Sequence, residues 1–252
     1  MALQQVDDKN ESEYKVMLKL IKMWSGVFFL LFLTGCMYPK ENLAQNQVPY
    51  DAQINMVQEA VNQFQESNNG ILPIKTKDAS TPIYQKYLID FKKIVPEYIS
   101  EVPGNAYESG GVFQYVLVDV ENEPTVKLLD LRVAETIREI KIKIQANKYP
   151  PFKGQLSKNL FTLDFSKIGY TEEPVAVSPY TGKNLPYVIT GEGEIYVDYR
   201  SDLYQVIKEN EYNLTPGEDI RYILTENSPI VPGYSLPYTV DPENGEPIFL
   251  EN

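Results

Sequence analysis

Between residues 54 and 64 the apolar side chains Ile54, Val57, Val61 and Phe64 recur at steps of three, four and three. That spacing predicts an amphipathic helix with one buried stripe. Asp51 is placed to cap its start, and Asn68-Asn69-Gly70 supplies a left-handed stop. The run Leu88-Ile89-Asp90-Phe91-Lys92-Lys93-Ile94 predicts a short helix opening at Asp90 and ending before Pro96. Pro103-Gly104-Asn105 then breaks the chain. Residues 112–120 alternate as a strand, turn near residues 121–124, and return over 126–131 as the hairpin partner.

The second half repeats this order. Val133, Ile137, Ile140 and Ile144 form another helical stripe. Pro150-Pro151-Phe152-Lys153 echoes Leu72-Pro73-Ile74-Lys75, and Leu163-Asp164-Phe165-Ser166-Lys167-Ile168 echoes Ile89-Asp90-Phe91-Lys92-Lys93-Ile94. Residues 179–182 break the chain, and residues 187–190 and 194–199 form a hairpin around Gly191-Glu192-Gly193. The C-terminal part reads differently. Ser201 is placed to cap a short helix with Leu203, Val206 and Ile207. Thr215-Pro216-Gly217-Glu218 has the form of a capping box, so a helix is expected through Ile220, Ile223 and Leu224. Leu236-Pro237-Tyr238 repeats Leu185-Pro186-Tyr187, and Asn244-Gly245 suggests a last hairpin. The expected fold is α+β. Two related helix–short helix–β-hairpin units span residues 50–131 and 132–200, with a C-terminal helical and hairpin extension over 201–252 packed on the same domain.

The start of the chain carries a different kind of signal. Lys19 and Lys22 precede an uncharged, mostly apolar run over residues 23–33, which closes on Leu33-Thr34-Gly35-Cys36. A positive start, a short apolar core and small residues before a cut site are the parts of an export signal. The run is too short to span a hydrocarbon core, which needs roughly 20 residues. Leu-Thr-Gly-Cys in this place resembles the lipobox of bacterial lipoproteins. That resemblance implies a diacylglycerol on the Cys36 sulfur and cleavage between Gly35 and Cys36. The residue types suit the chemistry, since a thiolate is the nucleophile that accepts a lipid and small neighbours admit a peptidase. A short uncleaved anchor, or a core segment with an incidental cysteine, is the plainer reading. Residues 1–16 hold Asp7, Asp8, Glu11 and Glu13, an acidic prefix foreign to signal peptides. Translation from Met17 and a short cytoplasmic extension both account for it. Residues 17–35 then form the signal peptide, and the polar stretch 36–49 a tether reaching about 20 Å as a random coil.

Composition narrows the chemistry further. The 252 residues include no histidine and one cysteine, which removes His-based acid–base catalysis, Ser–His and Cys–His nucleophiles and internal disulfides. The net charge is −12, and acids balance lysines in residues 1–35, so the whole excess belongs to the body that follows. Nucleic acid is therefore a poor partner. An acidic body is also repelled by an anionic leaflet, so a lipid must do the anchoring, and a diacyl chain pair suffices. Acids cluster at Asp119, Glu121 and Glu123 and at Asp241, Glu243 and Glu246. Calcium takes such oxygens, but neither cluster has the spacing of a calcium loop, and solvated turns explain both. Some carboxylate pair with glycosidase spacing is expected by chance among so many acids. Ser80 and Ser157 lie near lysines without forming a Ser-x-x-Lys helix start, and the glycines form no phosphate loop. Tyr115, Tyr187 and Tyr196 fall in expected strands as half-buried sheet residues. No catalytic residue, metal site or cofactor site is assigned.

With the lipobox, the Asn-Gln-Val-Pro-Tyr stretch at residues 46–50 and the run Pro103-Gly104-Asn105-Ala106-Tyr107-Glu108-Ser109-Gly110-Gly111, the chain resembles the YphF-type lipoproteins of bacilli over nearly all its length from the leader onward. The resemblance implies a location, the outer face of the bacterial cytoplasmic membrane, and no activity. Each half is also similar in outline to the soluble part of pilin-type proteins, although pilins keep a hydrophobic helix where this leader ends in a lipobox. The expected function is a non-enzymatic binding or scaffolding module of the cell envelope, partnered by an envelope protein or cell-wall glycan and not by nucleic acid. The alternative is a carboxylate-dependent glycan hydrolase or transglycosylase. A solute-binding lipoprotein would need parallel sheets, and the hairpins argue against it.

Overall fold

Helices alternate with small antiparallel sheets, so the chain is α+β as its mixed periodicities imply. The computed structural model describes residues 50–147 and 149–251. Gly35, Cys36, the signal peptide and the tether lie outside the described residues.

Helix α1 spans Tyr50–Ser67 and buries Val57, Ala60 and Val61 at 0% exposure. Asp51 lies inside its first turn and not before it, so its carboxylate acts on the helix dipole and not as the cap. The left-handed stop is in place. Asn69 has φ 53° and Gly70 φ 83°, and the Gly70 N–H donates to the Gln65 carbonyl at 2.9 Å. A single turn, α2 (Ile83–Lys86), follows. The expected helix at Asp90 is shorter than its apolar run. Leu88 and Ile89 make β-bridges to Val116 and Ile74, and only Phe91–Lys93 is helical, as a 3-10 turn capped by Asp90. Strands β1 (Phe113–Val118) and β2 (Thr125–Asp130) close the first repeat as an antiparallel pair with Tyr115 opposite Leu128.

The second repeat opens with α3 (Arg132–Asn147), which buries Ile137 and Ile140. It continues through β3 (Phe152–Ser157), β4 (Leu160–Leu163), a 3-10 turn at Phe165–Ile168, and the short pair β5 (Ala176–Val177) and β6 (Asn184–Leu185). It ends on β7 (Tyr187–Thr190) and β8 (Ile195–Val197). The β3–β4 hairpin has no counterpart in the sequence pattern. The segment Phe-Lys-Gly-Gln-Leu-Ser does not alternate, most of it faces solvent, and two register shifts break its pairing. It is the edge of a four-stranded sheet ordered β3-β4-β7-β8.

The two repeats agree in backbone detail. Asp90 has φ −95° and ψ 92°, and Asp164 has φ −96° and ψ 89°. The Asp90 N–H donates to the Pro73 carbonyl at 2.7 Å, and the Asp164 N–H to the Pro151 carbonyl at the same distance. Ile74 bridges Ile89 where Phe152 pairs with Leu163, and Leu88 bridges Val116 where Thr162 pairs with Val188. Tyr115 opposite Leu128 corresponds to Tyr187 opposite Val197.

The C-terminal residues follow the same order of elements. Helix α4 (Arg200–Glu209), the short α5 (Ile223–Glu226) and the antiparallel pair β9 (Tyr238–Val240) and β10 (Pro247–Phe249) make a third helix–short helix–hairpin repeat. Two local expectations fail here. Ser201 lies within α4, and the cap is supplied by Asp198, whose Oδ1 accepts the Arg200 N–H at 3.0 Å. The helix expected from Thr215 starts only at Ile223, because Gly217 has φ 92° and its N–H goes to Thr239 Oγ1 at 2.7 Å. The Ile220 N–H then joins the Tyr238 carbonyl, drawing this segment onto β9 before a helix begins.

The first repeat builds its own core around Val57, Val61, Phe91, Ile94 and Leu128. The second and third share one, in which Ile140, Leu185, Ile189, Leu203 and Tyr238 meet. A small cluster of Tyr84, Leu88, Val116, Leu129 and Val231 joins the first repeat to the third. Tyr115, Tyr187 and Tyr238 each sit in the first strand of a hairpin at 1%, 2% and 0% exposure. The first two are therefore core residues and not the half-buried sheet residues expected, whereas Tyr196 is half-buried.

Candidate functional site

A cleft of about 380 Å³ opens where the three repeats meet. One wall begins with Tyr50, the first residue of α1, whose ring stands edge-on to Phe113 of β1 at 5.2 Å. Asp130 ends β2, and Arg132 starts α3 two residues later. The Arg132 N–H caps the helix on Asp130 Oδ1 at 2.9 Å, while its guanidinium folds back as a fork, Nε to Oδ1 at 3.0 Å and a terminal nitrogen to Oδ2 at 2.5 Å. The same guanidinium lies 5.9 Å from the centre of the Phe113 ring. Val133 and Thr136 of α3, with Ile230, complete this side, and Tyr187 forms the floor. Burial pushes the Tyr187 hydroxyl above its ordinary value, and a hydrogen bond with Thr136 works against that rise.

Residues 175–179 form the opposite wall. They carry β5 and the turn that follows, which is held from three directions. Ser178 Oγ accepts the N–H groups of Tyr180 and Thr181 at 3.1 and 3.0 Å. The Tyr180 hydroxyl donates to the Ile230 carbonyl at 3.1 Å, and the Thr181 hydroxyl to Asp202 Oδ1 at 2.7 Å. Asp202 is 0% exposed, and its Oδ2 has no hydrogen-bond partner among the described residues. Burial raises its carboxyl above the ordinary value of 3.8, against the Thr181 hydrogen bond, the nearby Ser178 hydroxyl and the charge of Lys183, with Asp198 adding to the rise.

The sign of that shift sets a pH dependence. The folded state prefers the protonated acid, so the penalty is absent below about pH 3.8, accumulates as pH rises toward the raised value, and is complete above it. The Asp202→Asn variant escapes this penalty. Its stability relative to the wild type is therefore expected to improve between pH 4 and pH 8, by up to about 1.4 kcal/mol for each pH unit of the rise. Thermal melts of both proteins at the two pH values check this, and parallel losses in the two would contradict it.

The cleft's charged side chains are Asp130 and Arg132, each engaged with the other. Its aromatic and aliphatic walls and its few polar groups suit binding. The acids singled out from the sequence lie elsewhere, on turns. Asp119, at φ 48°, accepts from Asn122 at 2.8 Å, and Asp241 Oδ1 accepts the Glu243 N–H at 2.8 Å. Among the described residues no group of three or more acids converges as a metal site would require. Ser80 donates its hydroxyl to Asp78 at 2.7 Å and not toward a lysine. One recurring sequence pattern touches the cleft at a single place, Asp130 and Arg132. Asp-x-Arg occurs at 130–132, 198–200 and 219–221, and in each the arginine caps itself on the aspartate and returns its fork to the same carboxylate.

No curated protein and no solved structure matches the chain. A family match does cover the stretch from α1 to the end of β2, which is the whole first repeat and includes the cleft residues Tyr50, Phe113 and Asp130. Residues 50–130 of this chain match the family model of the YphF family N-terminal domain.

Proposed function

We propose that this protein is a lipid-anchored, extracytoplasmic binding or scaffolding module of the bacterial cell envelope, and that the cleft between its repeats receives the partner. The observation that carries the binding reading is the cleft itself: aromatic and aliphatic walls drawn from three repeats, with its one carboxylate already tied to arginine. A glycan hydrolase needs two free carboxylates facing one sugar, and the cleft offers no such pair. The anchor rests on the leader, with Cys36 as the lipidated residue and Gly35–Cys36 as the cut site.

The anchor is tested by labelling. In cells supplied with labelled palmitate, Cys36→Ala is expected to remain a full-length precursor without label, while the wild type is shortened, labelled and recovered with membranes. A labelled and shortened variant would remove Cys36 from the account. The binding role is tested by crosslinking in intact cells from a photoreactive residue at position 177, which is expected to give a discrete adduct. A failure to capture anything from the cleft would count against a binding module.

A further inference from the structure

Among the described residues, the edge of β5 that turns away from β6 has no partner strand. On its inner side β5 pairs with β6, Ala176 opposite Leu185 and Val177 opposite Asn184. The Ser178 N–H donates to the Lys183 carbonyl at 2.8 Å, which makes 178/183 a hydrogen-bonded pair of the antiparallel ribbon. Bonded and non-bonded pairs alternate, so the N–H and C=O of Val177 point away from β6. The same alternation turns the groups of Val175 outward, where the residue across the ribbon is Pro186, which has no N–H to offer. The side chains of Val175 and Val177 are 43% and 66% exposed, and both line the cleft. Pro174 and Pro179 bracket the segment, confining the open edge to a window of a few residues.

We infer that this edge takes an extended polypeptide segment of a partner protein, added as a further strand to β5 with an apolar side chain seated over Tyr187. The inference rests on the reading of the cleft as a binding site and names the class of its ligand. Regularly spaced donors and acceptors of one edge match another backbone, which is how peptides join exposed sheet edges. Charge selects further. The body carries the whole −12 of the chain, while Asp130 and Arg132 neutralise each other inside the cleft. A basic segment is attracted to such a body, a neutral one is not repelled, and an anionic wall polymer is repelled.

The test uses residues 37–252 of the protein, an array of random hexapeptides, and a tetrasaccharide of alternating N-acetylglucosamine and N-acetylmuramic acid. The wild type is expected to select hexapeptides with alternating apolar residues and net positive charge. Val177→Pro removes the outward N–H and puts a ring on the edge, while breaking no hydrogen bond among the described residues. It is expected to weaken the selected peptides at least about ten-fold, the equivalent of one or two lost hydrogen bonds. Val177→Thr keeps the backbone and is expected to retain them. If Val177→Pro fails to fold, methylating alternate amide nitrogens of a selected peptide asks the same question of the wild type, and one alternation only is expected to abolish binding. Selection of the tetrasaccharide alone would overturn the peptide inference and leave the binding module standing. Peptides that bind equally to Val177→Pro, or an array from which nothing is selected, would also overturn it, whereas the binding role itself is judged by crosslinking in cells.

Discussion

Gly111→Ala is expected to destabilise the protein by at least about 3 kcal/mol, the range in which small domains lose much of their stability. A Cβ at this position would lie 2.1 Å from both the carbonyl carbon and the oxygen of Asn105. Those atoms are backbone and cannot rotate aside. They are also committed, since the Asn105 carbonyl accepts the Phe113 N–H at 3.2 Å and its side-chain oxygen accepts the Tyr115 hydroxyl at 2.7 Å. The neighbouring Gly110 provides the control. It has φ 85° with open space where its Cβ would go, so Gly110→Ala meets only the left-handed strain of about 1 kcal/mol. Urea unfolding followed by circular dichroism separates the two. Equal midpoints for the two variants would mean that the chain crossing at Asn105 is not as close as the structure has it.

Tyr238→Ala is expected to cost about 3–5 kcal/mol, as large aromatic truncations in cores do. Tyr238 is fully buried, with its ring centre 5.0 Å from that of Phe249. Its hydroxyl accepts the Tyr199 N–H at 2.9 Å and donates to the Val197 carbonyl at 3.2 Å, so it ties β9 to the end of β8. Truncation leaves a cavity and two backbone groups without partners at the junction of the second and third repeats. Tyr238→Phe keeps the ring and is expected to cost about 1–3 kcal/mol for the two orphaned groups alone. Thermal melts give the two losses. If Tyr238→Ala cost no more than the phenylalanine variant, the shared core of these repeats would be wrongly drawn.

The sequence was most legible where one face of an element is buried. The stripes of α1 and α3 and the β1–β2 and β7–β8 hairpins follow from periodicity, because Val57, Val61, Ile137, Ile140, Tyr115 and Tyr187 all point into cores. The echo of residues 89–94 in residues 163–168 reflects a shared backbone conformation at Asp90 and Asp164. The third repeat was hidden by Gly217, whose positive φ delays the helix that Thr215 and Pro216 predict, and by a helix-start hydrogen bond that comes from Asp198 and not Ser201. The β3 strand left no trace because it lies at an edge and none of its six residues is buried. The cleft was illegible for a different reason. Tyr50, Arg132, Val177 and Ile230 are far apart in the chain, and an open strand edge is a property of what fails to pair with it. The Asp-x-Arg triplets were visible all along, but their meaning as clamps of an arginine on its own aspartate needed the geometry.

The most direct measurement is photo-crosslinking in intact cells from position 177, with a photoreactive residue at position 248 as the reference. Val177 lines the cleft, whereas Ile248 is exposed on β10 outside it. A binding module that works through the cleft gives a discrete adduct from position 177 and none from position 248. The same adducts from both positions, or none from position 177 while the protein is membrane-bound, would contradict it.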